Sequence, residues 1–279
     1  MPELPEVETV KNGIEKFIGH AEIKNVIIRN RNFRDKICDD FEKTVIGTKI
    51  KEYKRIGKYI VINLDNHQSI ICHLGMSGRI KTIDSKPTEL EKHDHVIMQT
   101  SNGWLIFNDP RRFGLLDVCP TEKVMEHKHL NHIGADPLSP ELSAQSLYLQ
   151  LQKRHIPIKQ ALLDQKMIAG IGNIYASEIL YDAQILPTRL ANQISLIESK
   201  NLVLSIRKIL LKAIENGGST LHDYHKPDGS LGYFQNLHCV YNKTGQRCPN
   251  CNCKLEKTGG IRKITQAGRS TFYCAVKQK

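Results

Sequence analysis

Met1-Pro2-Glu3-Leu4-Pro5-Glu6-Val7-Glu8-Thr9-Val10 opens the chain, and it supports two readings. In the first, Pro2 and Pro5 start a helix, and Glu6 and Glu8 complement the positive end of its dipole. Apolar residues at Leu4, Val7, Val10, Ile14, Phe17 and Ile18 have helical spacing, and Gly19 closes the run. In the second, removal of Met1 leaves Pro2 with a free secondary amine. Met before a residue as small as proline is a favourable context for that removal. An α-amino group titrates near 7.7–8.0, so at pH 7 it is a far better nucleophile than lysine. Attack of such an amine on a carbonyl-like carbon forms a Schiff base. Glu3 stands beside the amine, and a carboxyl in a closed pocket serves as a general acid. Local features alone favour the plain helix start.

From 21 to 119 the pattern changes to short apolar runs separated by turn residues. Ile23–Ile28, Tyr59–Leu64, Ser69–Leu74, Val96–Thr100 and Trp104–Phe107 read as strands. Asn102-Gly103 marks a hairpin between the last two. After Pro120 the chain turns helical, with candidates at Pro140–Arg154, Pro157–Asp164 and Ile174–Ala183. A longer amphipathic helix carries Leu202, Ile206, Ile209, Leu210 and Ala213 and stops at Gly217-Gly218. Residues 219–239 read as a loop. The expected class is α+β. An N-terminal helix and β-sandwich occupy 1–130, a helical domain 131–239, and a small basic cysteine module 240–279.

The chain has 279 residues, with 40% hydrophobic and 25% charged, which suits a globular protein and excludes a disordered tail, a collagen-like chain or a coiled coil. No apolar run is long enough to cross a membrane. The acidic, proline-bearing start is the opposite of a signal peptide, so a reducing, cytoplasmic location is expected. Forty Lys and Arg against 29 Asp and Glu leave a net charge of +11, which points to an anionic partner, nucleic acid first. The excess is local: nine basic residues and the single acid Glu256 give residues 240–279 a charge of +8. Cys248, Cys251, Cys253 and Cys274 crowd the same module, and in a reducing compartment that crowding favours a metal over disulfides. Gly170-Ile171-Gly172-Asn173 precedes a helix whose first backbone N–H groups suit a phosphate, a weak signal by itself.

Taken together, several motifs resemble the bacterial formamidopyrimidine-DNA glycosylase family. They are the Pro2–Val10 opening, Gly57-Lys58-Tyr59, His73-Leu74-Gly75-Met76-Ser77-Gly78 and Lys92-His93-Asp94-His95. Asp109-Pro110-Arg111-Arg112-Phe113-Gly114 and Gly170–Glu178 follow. Gly217-Gly218-Ser219-Thr220-Leu221, Gly232-Tyr233-Phe234-Gln235 and Gly268–Cys274 complete the series. The likeness spans nearly the whole chain in the right order. It implies a helix–two-turns–helix domain and a zinc-finger-like β-hairpin. It also implies a monomeric enzyme that excises 8-oxoguanine and formamidopyrimidines from duplex DNA and cuts the strand by β,δ-elimination.

By that resemblance Pro2 is the nucleophile, Glu3 the general acid/base, and Lys58 and Arg269 assist the eliminations at phosphate. A glycosylase must extrude its target base from the stack. Met76, Arg111 and Phe113 then fill the gap, Arg111 facing the orphaned cytosine. These types suit the task, since Met and Phe are apolar wedges and Arg offers donors to a base edge. His93, Arg154, Lys159, Asn173 and Tyr241 would bind the DNA, largely at phosphates. Glu6, Ser219, Thr220 and Tyr224 would surround the flipped purine.

The match breaks at the cysteines. Lys277 stands where the family pattern has its fourth cysteine, and the hairpin between the cysteine pairs is lengthened around Thr258–Lys263. Three thiolates do not close a tetrahedral structural site. Three outcomes remain open. Cys253 completes a zinc site with Cys248, Cys251 and Cys274; or water or a histidine completes a weaker one; or the hairpin folds without metal. A bound zinc is the expectation. Rival functions are an endonuclease VIII-like enzyme for oxidised pyrimidines and a non-catalytic DNA-binding protein on the same scaffold.

Overall fold

A computed structural model describes residues 1–220, 224–249, 251 and 254–279. They divide into two compact units, one of residues 1–131 and 214–235, the other of 132–213 and 236–279.

The first unit begins with helix α1 (Leu4–Ile18), capped at Glu3 by a reciprocal box with Glu6 and ended by Gly19 in a positive-φ conformation. Its buried face is Leu4, Val7, Val10, Ile14 and Ile18, the stripe read from the sequence. Eight strands follow: β1 (Ile23–Ile28), β2 (Ile50–Ile56), β3 (Tyr59–Leu64), β4 (Gln68–His73), β5 (Arg79–Ile83), β6 (Asp94–Thr100), β7 (Gly103–Asn108) and β8 (Leu115–Pro120). They form two four-stranded antiparallel sheets, ordered β1-β6-β7-β5 and β2-β3-β4-β8. A short helix, α2 (Phe41–Val45), also lies in this unit. Ile14 of α1 and Ile62, Ile70, Val96, Met98, Leu105, Phe107 and Leu116 of the sheets belong to one core cluster. Every residue of β3 is buried, as an almost wholly apolar run, broken only by Asn63, on a central strand requires.

The second unit carries α3 (Ala144–Gln152), α4 (Ile158–Leu163), α5 (Asn173–Asp182) and most of α6 (Leu196–Glu215), whose last two residues belong to the first unit. The helix expected over Pro140–Arg154 starts only after Ser143, whose hydroxyl accepts from Ser146 N. One turn, α7 (Leu255–Thr258), precedes the hairpin of β9 (Arg262–Gln266) and β10 (Arg269–Tyr273). Ala267 and Gly268 make its tip with φ of 45° and 72°, the conformation a two-residue hairpin turn demands. Among the described residues no helix is long and apolar enough to cross a membrane.

One buried acid ties the segment before the hairpin to α5. Glu178 is 1% exposed, and its carboxylate accepts N–H bonds from Cys239 (2.7 Å), Val240 (3.0 Å) and Tyr241 (2.8 Å). Burial raises its pKa, while the three amides pull the other way. Removing the acceptor strands three donors, each costing about 1–3 kcal/mol when buried. Glu178→Ala is therefore expected to lower unfolding free energy by roughly 3 kcal/mol or more in urea titrations. Glu178→Gln, which keeps one acceptor oxygen, should lose less. Equal midpoints for wild type and Glu178→Ala would show that the carboxylate does not hold this segment.

Candidate active site

The head of α1 is closed in. Pro2 and Glu3 are buried, whereas Met1 is 50% exposed. Glu6 is 1% exposed; its Oε2 accepts from Glu3 N (2.8 Å), and its Oε1 accepts from Ser219 N (2.7 Å), 213 residues later. A Cβ on Gly218, whose φ is 77°, would lie 2.8 Å from Glu6 Oε1, so only glycine lets this segment approach the carboxylate. Beyond Ser219, Thr220 donates its N–H to Gln235 Oε1 (2.9 Å) and accepts from Gly232 N (2.9 Å) at its hydroxyl. Tyr224 is buried and donates from its hydroxyl to Gly217 O (3.1 Å). The structure thus brings together Glu3, Glu6 and Ser219 from the sequence-predicted set. Leu221 lies outside the described residues.

Lys58 follows the tight turn at Gly57 (φ 58°) between β2 and β3 and is 8% exposed. His73, at the end of β4, has its ring centroid 4.7 Å from that of Tyr59. Burial first, then the positive charges of Lys58, Arg34 and His129, lowers the His73 pKa to about 4. Its Nδ1 accepts from Gly75 N (2.9 Å), so the neutral ring offers Nε2–H as a donor. No role was read for His73 in the sequence, where it looks like the polar end of an apolar run. His93 is half-buried, with its ring 5.9 Å from His95.

Met76, Arg111 and Phe113 sit on two interlocked turns. Asp109 is fully buried; Oδ1 accepts from Ser77 Oγ (2.6 Å), and Oδ2 accepts from Gly114 N (2.8 Å). Ser77 Oγ in turn accepts from Arg111 N (3.2 Å). Gly75 (φ 64°) is so close that a Cβ there would meet Phe113 and Gly114 backbone at 2.5 Å. From this frame Met76 (42% exposed) and Phe113 (49%) are displayed to solvent, with the Arg111 guanidinium 4.8 Å from the Phe113 ring centre. Exposed large apolar groups on a braced frame mark a contact surface.

In the second unit, Asn173 opens α5 behind Gly172. Its Nδ2 donates to Ser270 O (3.0 Å), one residue beyond Arg269. Lys159, expected to contact phosphate, is 1% exposed, and its ammonium donates to Asn173 Oδ1 (2.6 Å), Ser270 O (2.9 Å) and Thr271 Oγ1 (2.8 Å). Its three ammonium donors are thus engaged within the protein. Arg154 is partly exposed, pairs with Asp164 (3.1 Å) and donates to Gln150 O (3.1 Å). Arg269 is exposed at the hairpin tip. The Tyr241 ring packs against Phe272 and His238, with centroids 5.0 and 5.6 Å away.

Cys248, Cys251 and Cys274 converge, their Sγ atoms all within 4.8 Å of one another. Cys248 and Cys274 are buried with Tyr181, Val240, Ile261 and Phe272. Soft thiolates in this arrangement fit zinc as three of its ligands. Cys253 lies outside the described residues.

Comparison with known proteins follows this geometry along the chain. The model of the formamidopyrimidine-DNA glycosylase N-terminal domain matches residues 1–116, and that of the family's H2TH domain matches 133–225. Formamidopyrimidine-DNA glycosylase of Zymomonas mobilis is 42% identical over 280 residues, covering all of both chains. That of a Wolbachia pipientis strain is 44% identical over 275 residues, 98% of each. Among solved structures, a Lactococcus lactis Fpg mutant with Fapy-dG-containing DNA superposes with TM-score 0.89 at 35% identity, over the full length of both chains. Thermus thermophilus MutM (Fpg) gives TM-score 0.86 at 33% identity, covering 99% of this chain and 98% of that one. With the α1 head, the braced turns and α5 built from the residues that carry these matches, the chain belongs to the formamidopyrimidine-DNA glycosylase family of DNA glycosylases.

Proposed function

We propose that the protein is a bifunctional DNA glycosylase and AP lyase that removes 8-oxoguanine and formamidopyrimidines opposite cytosine. The observation that carries this reading is the head of α1, where Pro2 and Glu3 are buried beside a Glu6 carboxylate bonded to Ser219. An exposed Met1 is open to removal, which frees the Pro2 amine. The amine attacks C1′ of the damaged nucleotide, and the base departs with a proton supplied by Glu3. The nitrogen gives up its proton, and its lone pair then forms the Schiff base as the C1′–O4′ bond breaks and O4′ takes a proton, which makes the 2′ proton acidic. Loss of that proton expels the 3′ phosphate, and a second elimination expels the 5′ phosphate. Lys58 assists the first elimination, and Arg269 holds the phosphate of the damaged nucleotide.

Oxidised purine in duplex DNA is the proposed partner, and the protein acts as a monomer in the cytoplasm. Met76, Arg111 and Phe113 enter the stack where the base has left. Ser219, Thr220, Tyr224 and Glu6 frame the extruded purine. His93, Arg154, Asn173 and Tyr241 contact the DNA, while Lys159 acts by fixing Asn173 and the strand that follows Arg269. In this division residues 1–130 carry the chemistry, 131–239 hold the DNA and frame the base, and 240–279 fix the phosphate. A zinc ion on Cys248, Cys251 and Cys274 supplies a rigid base for the hairpin and takes no part in the reaction.

Borohydride reduction in the presence of an 8-oxoguanine duplex should trap a covalent adduct, with mass spectrometry placing it on Pro2. Pro2→Gly, and a form whose N-terminus is extended so that the amine is blocked, should give little or none. Binding without any trapped wild-type adduct would instead select the non-catalytic reading. An adduct with oxidised-pyrimidine duplexes alone would select the endonuclease VIII-like one.

Glu3→Gln keeps the helix cap but cannot give up a proton. General acid–base groups contribute about 10²–10⁴-fold, so base release in single turnover should slow by that order. Binding to an abasic-site duplex should be retained. An unchanged rate of base release would remove Glu3 from the mechanism.

A further inference from the structure

Two consecutive buried residues where β7 ends, Asn108 and Asp109, reach in two directions. One direction is the turn Glu91–Asp94, which carries His93. Asp94 N donates to Glu91 O (3.2 Å), and Glu91 N donates to Asp94 Oδ2 (2.9 Å). Arg29 Nη1 donates to the carbonyls of Glu91 (2.8 Å) and Asp94 (3.1 Å). Asn108 Nδ2 donates to Asp94 Oδ1 (2.8 Å) and Glu91 Oε2 (3.2 Å), and the Lys81 ammonium of β5 lies on Asp94 Oδ1 (2.8 Å) and Glu91 Oε1 (3.0 Å). Burial would raise the pKa of Asp94, but the bonds from Lys81, Asn108 and Glu91 outweigh it and hold the carboxyl below its ordinary value. The other direction is the pair of turns that displays Arg111, held by the Asp109 carboxylate through Ser77 and Gly114. The Asp109 backbone joins the two. Its N–H donates to His93 O (3.1 Å), and its carbonyl accepts from His95 Nε2 (3.1 Å) and Arg112 N (3.2 Å).

We propose that Asn108 is a positioning residue that makes His93 and Arg111 act on DNA as one unit, joined through the end of β7. This rests on the DNA contacts proposed above for His93 and Arg111 and deepens them. A phosphate contact reads no sequence, whereas a side chain facing a base edge does. On a shared mount, a phosphate seated against His93 also sets the place of Arg111 at the orphaned base. Two contacts held by one network are gained and lost together, so their losses do not add as those of independent sites do. The network here is charge-assisted and largely buried, which makes it stiff.

The test is a double-mutant cycle on binding of the full chain to a duplex with an abasic site opposite cytosine. His93→Ala and Arg111→Ala should each weaken binding. The double variant should lose about fivefold less affinity, or better, than the product of the two single losses. The cycle is then repeated with Asn108→Ala as the background, where the two losses should come close to multiplying. An Asn108 that served stability alone would lower the melting temperature and the overall affinity but leave that ratio unchanged. Lys81→Met, at a partly exposed position beside the same turn, supplies the comparison if Asn108→Ala does not fold. Losses that multiply in the otherwise wild-type chain, or a coupling that survives loosening of the turn, overturn the proposal and leave both contacts standing. Unchanged affinity in either single variant removes a DNA contact itself, and so overturns the reading on which the proposal rests.

Discussion

A single carboxylate organises the first unit. Glu6 lies one turn into α1, at 1% exposure, and spends one oxygen on the backbone of Glu3 and the other on the backbone of Ser219. A buried carboxylate is costly unless its lone pairs are used, and this one uses them to join the start of the chain to a segment more than two hundred residues away. Pro2 and Glu3 are thereby made part of the interior, while Met1 before them stays half exposed. The chemistry proposed for Pro2 depends on this enclosure, because an amine on a loose end would have no fixed geometry.

The second unit solves a similar problem with a cation and an anion at different points. Lys159 gathers Asn173, Ser270 and Thr271 around an enclosed ammonium, and Glu178 gathers three consecutive amides ahead of the hairpin. Each replaces hydration lost on burial with several charge-assisted bonds, roughly twice the strength of neutral ones. Asn173 and the residue after Arg269 are thus linked through one ammonium. Removing Lys159 would disturb both without any change at the surface.

Much of the fold could be read in the chain. The stripe Leu4–Ile18 gave α1 because nearly every apolar position follows one helical period, and Tyr59–Leu64 gave a strand because it is apolar except at Asn63. Ile50–Ile56 escaped because its exposed pattern, broken by an irregularity near Glu52, does not alternate cleanly, and Phe41–Val45 is too short for a period to emerge. The site was legible only as motifs. Pro2, Lys58 and Arg269 carry no local signature that separates them from a helix start or solvated bases. Asp109 and His73 stand in the quoted motifs, but their bracing of the exposed turns is not legible there, because it lies in partners brought near by folding. Lys159 shows the converse limit on reading side-chain direction. A lysine beside a candidate phosphate site invites a surface role, and only packing shows that it points inward.

The paired turns around Gly75 and Asp109 have a consequence for how such a protein can change. Their frame is held by backbone contacts and a buried acid, while Met76, Arg111 and Phe113 hang outside it with much of their surface in water. Exchanging those three side chains therefore costs the fold little, whereas exchanging Gly75, Ser77 or Asp109 would break it. Selection can revise what this surface meets while the frame stands still, so heritable variation in preference and heritable loss of structure fall on different codons of the same two short segments.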